Sequence, residues 1–394
     1  MSAFDSERFT VDWHYPTPIH VGAGRIDELA RTCAAQGMRA PLLITDPGLA
    51  ALPMVEQALA QCREAGLDAG CFSQIQGNPT GANVADGVRA FREGDHDGVI
   101  AFGGGSGLDA AKAVALMARQ REDLSLWSLE DRGDNWRNAQ ADAVLPVVAV
   151  PTTAGTGSEV GRASVITDEE AHVKRIIFHP RMLPSAVILD PVLTQGLPAP
   201  ITAATGMDAL SHCLEAWCAP GYHPQAEGIA VEGMRRIRDA LPRAYRDGND
   251  LEARTDMLTA SMMGATAFQR GLGAMHALAH PLGALFDAHH GMLNAVLMPY
   301  VLRANATAIG EPMVRLGRYL DLPQPGVAAV IDWVLALRER LGIPHTLADL
   351  GIDDSRADLV GRMAVEDPSA GGNPIPFDAE AYRRIFQSAL EGRL

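Results

Sequence analysis

Four short apolar runs constrain this chain most, because each is continuous rather than alternating and all lie before residue 191. They are Pro41-Leu-Leu-Ile-Thr-Asp46, Gly98-Val-Ile-Ala-Phe102, Pro146-Val-Val-Ala-Val150 and Ala186-Val-Ile-Leu-Asp190. A run that is apolar at every position suits a strand covered on both faces, as in a parallel sheet with helices above and below. Helical patterns over 54–65 and 109–119 separate the runs, so strand and helix alternate as βαβ units. Two short strand-like runs flank Asp168-Glu169-Glu170 and predict one hairpin within 163–177. Past Asp190-Pro191 such runs stop, and Ala, Met, Leu and Arg recur with helical periodicity to the C-terminus. The expectation is an α/β domain over 1–195 and an all-helical domain over 196–394. Ligands in such an architecture gather beyond the C-terminal ends of the strands or in a cleft between domains.

A length of 394 residues fits two domains, and 47% hydrophobic residues supply ordinary cores for them. The formal net charge of −15 argues against nucleic acid or an anionic membrane as partner. It also disfavours a strongly anionic substrate unless a local cationic pocket receives it. No stretch approaches the roughly 20 uninterrupted apolar residues of a membrane span. The first ten residues carry acids where a signal peptide is basic and then apolar, so a cytoplasmic protein is expected. Five cysteines, odd in number and without a C-x-x-C pair, fit neither a disulfide framework nor a structural zinc site. They read as buried free thiols.

Two loops leave the ends of predicted strands. Gly103, Gly104 and Gly105, followed by Ser106 and a helical pattern, let backbone N–H groups approach a phosphate at a helix N-terminus. Gly105-x-Gly107-x-x-Ala110 satisfies the dinucleotide fingerprint in form only, since the turn follows a third or fourth strand. The best ribose-binding acid, Asp46, also precedes it in the chain. The second loop, Pro151-Thr-Thr-Ala-Gly-Thr-Gly-Ser-Glu159, supplies hydroxyl and backbone donors for a pyrophosphate or ribose, unless it only caps a helix.

Asp208 and His212 stand four residues apart on a helical pattern, so both can face one ion. His276 and His280 repeat that spacing, and His289 and His290 follow. One carboxylate with several imidazoles suits a borderline cation such as Fe²⁺ or Zn²⁺ with a position open for substrate. Spacing alone does not separate His289 from His290 as the last ligand.

Four motifs together resemble the iron-containing (group III) alcohol dehydrogenases. They are Gly103-Gly-Gly-Ser106, Pro151-Thr-Thr-Ala-Gly-Thr156, Gly206-Met-Asp-Ala-x-x-His212, and His276-x-x-x-His280-Pro-Leu-Gly-Ala with His290-Gly291. The resemblance implies a Rossmann-like N-terminal domain, a helical C-terminal domain, and a cleft for NAD(P) and one divalent metal. Carried onto this chain, it puts the metal ligands at Asp208, His212, His276 and His290, because the family's last ligand directly precedes a glycine. His280 matches a histidine near the metal that is not a primary ligand, and so becomes the candidate proton carrier. On the cofactor side the matches are Asp46, Asn78, Gly104, Gly105, Ser106, Thr152, Thr153, Thr156, Lys174 and Leu193. A carboxylate at Asp46 can bond the 2′-hydroxyl of NAD but repels the 2′-phosphate of NADP, so NAD is the expected cofactor.

The implied reaction is metal-assisted hydride transfer between an alcohol or aldehyde and nicotinamide, with Fe²⁺ or Zn²⁺ at a site whose net charge with these four ligands is +1. A homodimer or higher homo-oligomer is implied as well. Rivals of the same fold are glycerol-dehydrogenase-like, dehydroquinate-synthase-like and maleylacetate-reductase-like enzymes. A rival of another kind is a metal- and nucleotide-binding module without turnover. The chain departs from some relatives at Gly161 and Ala163, where they carry larger polar side chains, and Arg162 between them could meet a substrate carboxylate or solvent.

Overall fold

The computed structural model describes residues 17–394 apart from His172, and these fall into two compact units that divide after Gly196. In the first unit, eight strands are β1 (Ile19–Val21), β2 (Pro41–Ile44), β3 (Gly70–Phe72), β4 (Gly98–Gly103), β5 (Val147–Pro151), β6 (Ala163–Asp168), β7 (Val173–Phe178) and β8 (Ala186–Leu189). Its helices are α1 (Leu29–Ala35), α2 (Pro47–Ala50), α3 (Pro53–Glu64), α4 (Gly81–Glu93) and α5 (Gly105–Met117).

Six strands pair in parallel in the order β1-β8-β5-β4-β2-β3. Every residue of β2, β4, β5 and β8 is buried, as their unbroken apolar sequences require. Leu43, Ile100, Phe102, Val148, Val150 and Ile188 form one core under the sheet with Leu29, Val55 and Leu59. β2 has β3 on one side and β4 on the other, so the chain reverses its direction of travel across the sheet between them. A crevice opens at such a reversal beyond the strands' C-terminal ends, where Asp46 follows β2 and Gly103 ends β4. β6 and β7 pair separately as the antiparallel hairpin.

The second unit, Leu197–Leu394, is built from α6 (Ala199–Cys218), α7 (Pro224–Arg246), α8 (Leu251–Ala267), α9 (Ala274–Phe286), α10 (His290–Ala304), α11 (Gly310–Tyr319), α12 (Val327–Arg340), α13 (Ala357–Glu366) and α14 (Ala379–Glu391). α6 is buried almost all round, from Thr202 to Trp217, which identifies it as the central helix of the unit. Among the described residues no helix is long and apolar enough to cross a membrane, and all five cysteines are free thiols.

Candidate functional site

In the first unit, the glycine turn and the threonine loop press against each other. Thr152 N–H donates to the Gly103 carbonyl at 2.9 Å. A Cβ on Gly104 would lie 3.3 Å from Thr153 Cγ2, and one on Gly105 would lie 2.5 Å from Thr156 Cγ2. Glycine at 105 is therefore a condition of the two loops meeting. Gly104 caps α5 without a side-chain bond, so the first turn, which includes Gly105 and Ser106, keeps N–H donors for an anion.

Asp46 sits beside this turn, its Oδ2 about 4.0 Å from where a Gly103 Cβ would be. Its Oδ1 accepts the Leu49 N–H at 2.9 Å and so caps α2. Lys174 on β7 donates to Asn78 Oδ1 at 2.7 Å, and Asn78 holds a left-handed backbone with φ 57°. Leu193 is buried in the sheet core.

Behind the threonine loop lies a charge cluster that sequence reading missed. Lys112 of α5 is fully buried and donates to the Ser158 carbonyl at 3.0 Å, with Asp109 Oδ1 3.3 Å away. Asp109 in turn accepts from Ser158 Oγ at 2.5 Å and from Val165 N–H at 2.8 Å. Glu159, also buried, leaves Oε1 without a hydrogen-bond partner. Burial pushes its carboxyl up to about 7 against the pull of its own N–H and of Lys112. The same burial lowers the Lys112 ammonium against the field of Asp109.

In the second unit, α6, α9 and α10 converge their polar side chains on one point. Candidate ligand atoms of Asp208, His276 and His290 all lie within 4.8 Å of one another. Asp208 Oδ1 is 3.5 Å from His290 Nε2 and 4.0 Å from His276 Nε2. Donors about 2.1 Å from a tetrahedral ion stand about 3.4 Å apart, so the trio is close to the span an ion needs. His212 lies outside the trio, but its ring stacks on that of His276 with centroids 4.8 Å apart. Of the two neighbouring histidines it is His290, at the first position of α10, that joins the cluster, while His289 occupies the cap. Gly291 explains the closeness, since a Cβ there would come within 2.3 Å of the Ala204 carbonyl on α6.

Three further residues complete this cluster, and the sequence reading assigned a role to none of them. Asn294, one turn after His290, directs its Nδ2 at Asp208 Oδ1, His290 Nε2 and His276 Nε2, at 2.9, 3.1 and 3.3 Å. An electropositive amide group so placed is what a focus of three electron-pair donors attracts, and this is the donor set a dication fits. Glu215 Oε2 accepts the His276 Nδ1 proton at 2.7 Å. Asp367 Oδ2 meets His280 Nδ1 at 2.8 Å, while the His280 ring stacks on His290 with centroids 5.4 Å apart. Burial works to raise the Asp208 carboxyl, but the fields of His212, His290 and His276 and the Asn294 bond outweigh it and hold it down at about 2. Burial likewise opposes charge on His276, yet Glu215, Asp208 and Asp367 move its pKa up on balance.

Comparison with known proteins finds similarity along nearly the whole chain. A family model described as "Iron-containing alcohol dehydrogenase" matches residues 16–191, and "Fe-containing alcohol dehydrogenase family, C-terminal" matches 202–390. The 4-hydroxybutyrate dehydrogenase of Cupriavidus necator is 40% identical over 387 residues, covering 96% of this chain and 99% of that one. The NAD-dependent methanol dehydrogenase of Bacillus methanolicus is 34% identical, covering 94% of this chain and 97% of that one. A crystal structure of a 1,3-propanediol oxidoreductase superposes with a TM-score of 0.92 at 35% identity, covering 97% of this chain and all of that one.

Proposed function

This chain belongs to the iron-containing alcohol dehydrogenase family, and from that premise we propose which of its residues hold the metal, the cofactor and the reacting proton. It is an oxidoreductase that interconverts alcohols and aldehydes with NAD. Asp208, His212, His276 and His290 hold the divalent metal, Fe²⁺ in this reading with Zn²⁺ the alternative. The convergence of Asp208, His276 and His290 on the Asn294 amide supports the set most directly. When bound, the ion supplies Lewis acidity toward an alcohol or carbonyl oxygen, and the dinucleotide supplies the hydride acceptor.

The remaining roles belong to the protein. The glycine turn with Gly104, Gly105 and Ser106 and the loop with Thr152, Thr153 and Thr156 offer N–H and hydroxyl donors to the dinucleotide phosphates. Asp46 receives the adenosine ribose and selects NAD over NADP, and Asn78, Lys174 and Leu193 shape the rest of the cofactor site. His280 carries the proton of the alcohol. Its Nδ1 is directed at Asp367, which leaves Nε2 as the atom that takes up and releases that proton. Residues 1–195 act as the dinucleotide-binding domain and 196–394 as the metal-binding domain.

Primary alcohols of short chain are the proposed substrates, with 4-hydroxybutyrate, 1,3-propanediol and methanol heading the panel. The cytoplasm is the proposed compartment, in keeping with five unpaired thiols, and a homodimer or higher homo-oligomer is the proposed assembly. The decisive experiment measures bound metal and NADH formation together. Asp208→Ala should lose both, whereas His280→Ala should keep its metal and lose turnover. A His280→Ala protein without metal would refute this division of roles.

A further inference from the structure

The metal-facing side of α6 carries a third polar residue beyond Asp208 and His212. Glu215 follows Asp208 by seven residues and His212 by three, which puts it on the same helical face. It is 5% exposed. Its Oε2 accepts the Gly273 N–H at 2.8 Å and the His276 Nδ1 proton at 2.7 Å, and its Oε1 accepts the Met275 N–H at 2.6 Å. The backbone ahead of α9 is shaped to reach it, since a Cβ on Gly273 would crowd Glu215 Oε1 at 3.1 Å and Asn373 Oδ1 at 3.0 Å.

We infer that Glu215 is the positioning residue of the metal centre, fixing His276 in the tautomer that offers Nε2 as a ligand. The inference rests on the metal-binding reading above. A carboxylate can only accept, so the His276 proton must sit on Nδ1, and the Nε2 electron pair then faces Asp208 and His290. A hydrogen-bonded carboxylate also makes the imidazole a stronger donor. Glu215 further changes the charge count. With Asp208 alone a dication leaves the site at +1; with Glu215 behind His276 the buried group is neutral.

Glutamine cannot substitute. Its single oxygen can serve either the Met275 side or the Gly273–His276 side, and its NH₂ must then face an N–H donor or force His276 to present Nδ1 as an acceptor. The latter puts the proton on Nε2 and closes that atom to a metal.

The test is the dissociation constant for Zn²⁺, measured on the whole protein by competition with a chromogenic chelator. Glu215→Gln should weaken Zn²⁺ binding by about 10- to 100-fold. In a His276→Asn background the same substitution should change it by less than about threefold, because the residue through which Glu215 acts is gone. An equal drop in both backgrounds would mark a merely structural role and overturn the inference, as would unchanged binding in folded Glu215→Gln. A direct check uses Zn²⁺-loaded wild-type protein, in which long-range ¹H–¹⁵N spectra should find the His276 proton on Nδ1. A proton on Nε2 overturns the inference whether or not the variants fold. Wild-type protein that takes up neither Fe²⁺ nor Zn²⁺ overturns this inference and the metal reading together, whereas zinc-replete wild type with an indifferent Glu215 overturns this one alone.

Discussion

The glycine–threonine edge of the sheet and the histidine cluster of the helical unit use opposite materials to make a binding place. At the sheet edge the candidate donors are backbone N–H groups and small hydroxyls, and the charged residues Lys112, Asp109 and Glu159 are kept behind the loop as supports. In the helical unit the charges themselves converge, with Asp208 at the front and Glu215 and Asp367 behind the histidines. An anion needs donors and room, so the first place is written in residues that are absent or small. A cation needs electron pairs in a fixed array, and each imidazole then needs an acceptor to fix its tautomer. One place should therefore fail by crowding and the other by loss of charge.

The largest effect expected is on the metal side. Asp208→Ala removes the carboxylate among the converging donors, and turnover should fall by at least about 10³-fold as bound metal is lost. Its affinity for NAD, read by fluorescence titration, should stay within about threefold of wild type. Gly105→Val is the converse. A side chain at 2.5 Å from Thr156 forces the two loops apart, and overpacking of about 1–3 kcal/mol translates into NAD binding roughly 10- to 100-fold weaker. Metal content in that variant should be unchanged. A variant that lost both ligands would break the comparison.

The support behind the sheet edge gives a smaller effect with a defined sign. Glu159 is held up at about 7 in the folded chain against 4.5 for an ordinary glutamate, so the native state binds its proton more tightly than the unfolded state does. Stability from this group is therefore fully present below about 4.5 and is lost as pH rises to about 7. Glu159→Gln should match wild type below about pH 4 and exceed it at pH 8 by up to about 3 kcal/mol in urea unfolding, the pull of Lys112 being already contained in the raised carboxyl. Wild type more stable than the variant at pH 8 would mean that the Lys112 attraction outweighs burial.

Much of this was legible in the sequence, and the exceptions share a cause. The buried strands β2, β4, β5 and β8 announced themselves because they are apolar throughout, whereas β1 and β3 are three-residue edge strands, Ile19-His-Val and Gly70-Cys-Phe, too short to carry a pattern. Asp208 and His276 were legible because candidate metal donors come from a small set of residue types at helical spacing, whereas only the family resemblance separated His290 from His289. Glu215 and Asn294 had a signal that could have been used, lying seven residues after Asp208 and four after His290 on the same helical faces. The pairing of Asp367 with His280 had none, since 87 residues separate the two and only the fold of the helical unit unites them. Lys112 and Glu159 were hidden for the opposite reason, because a lysine in a helix and an acid in a loop read as solvent-facing.

The smallest effect sharpens the sheet edge itself. Asp46 serves two purposes with two oxygens: Oδ1 caps α2 through Leu49 N–H, and Oδ2 faces the glycine turn. Glycine is the substitution that separates them, because it is tolerated at an N-cap at a cost of only a few tenths of a kcal/mol. Asp46→Gly should therefore leave the melting temperature within about 1–2 °C of wild type. Loss of one charge-assisted bond to the ribose, about 1.5 kcal/mol, should weaken NAD by roughly tenfold. Removal of the carboxylate's repulsion should at the same time improve NADP, so the ratio of kcat/KM for the two cofactors should move toward NADP by more than the loss on NAD alone. If NADP use does not rise while the fold holds, the Asp46 carboxylate is a helix cap and nothing more, and the choice of cofactor is made elsewhere along the glycine–threonine edge.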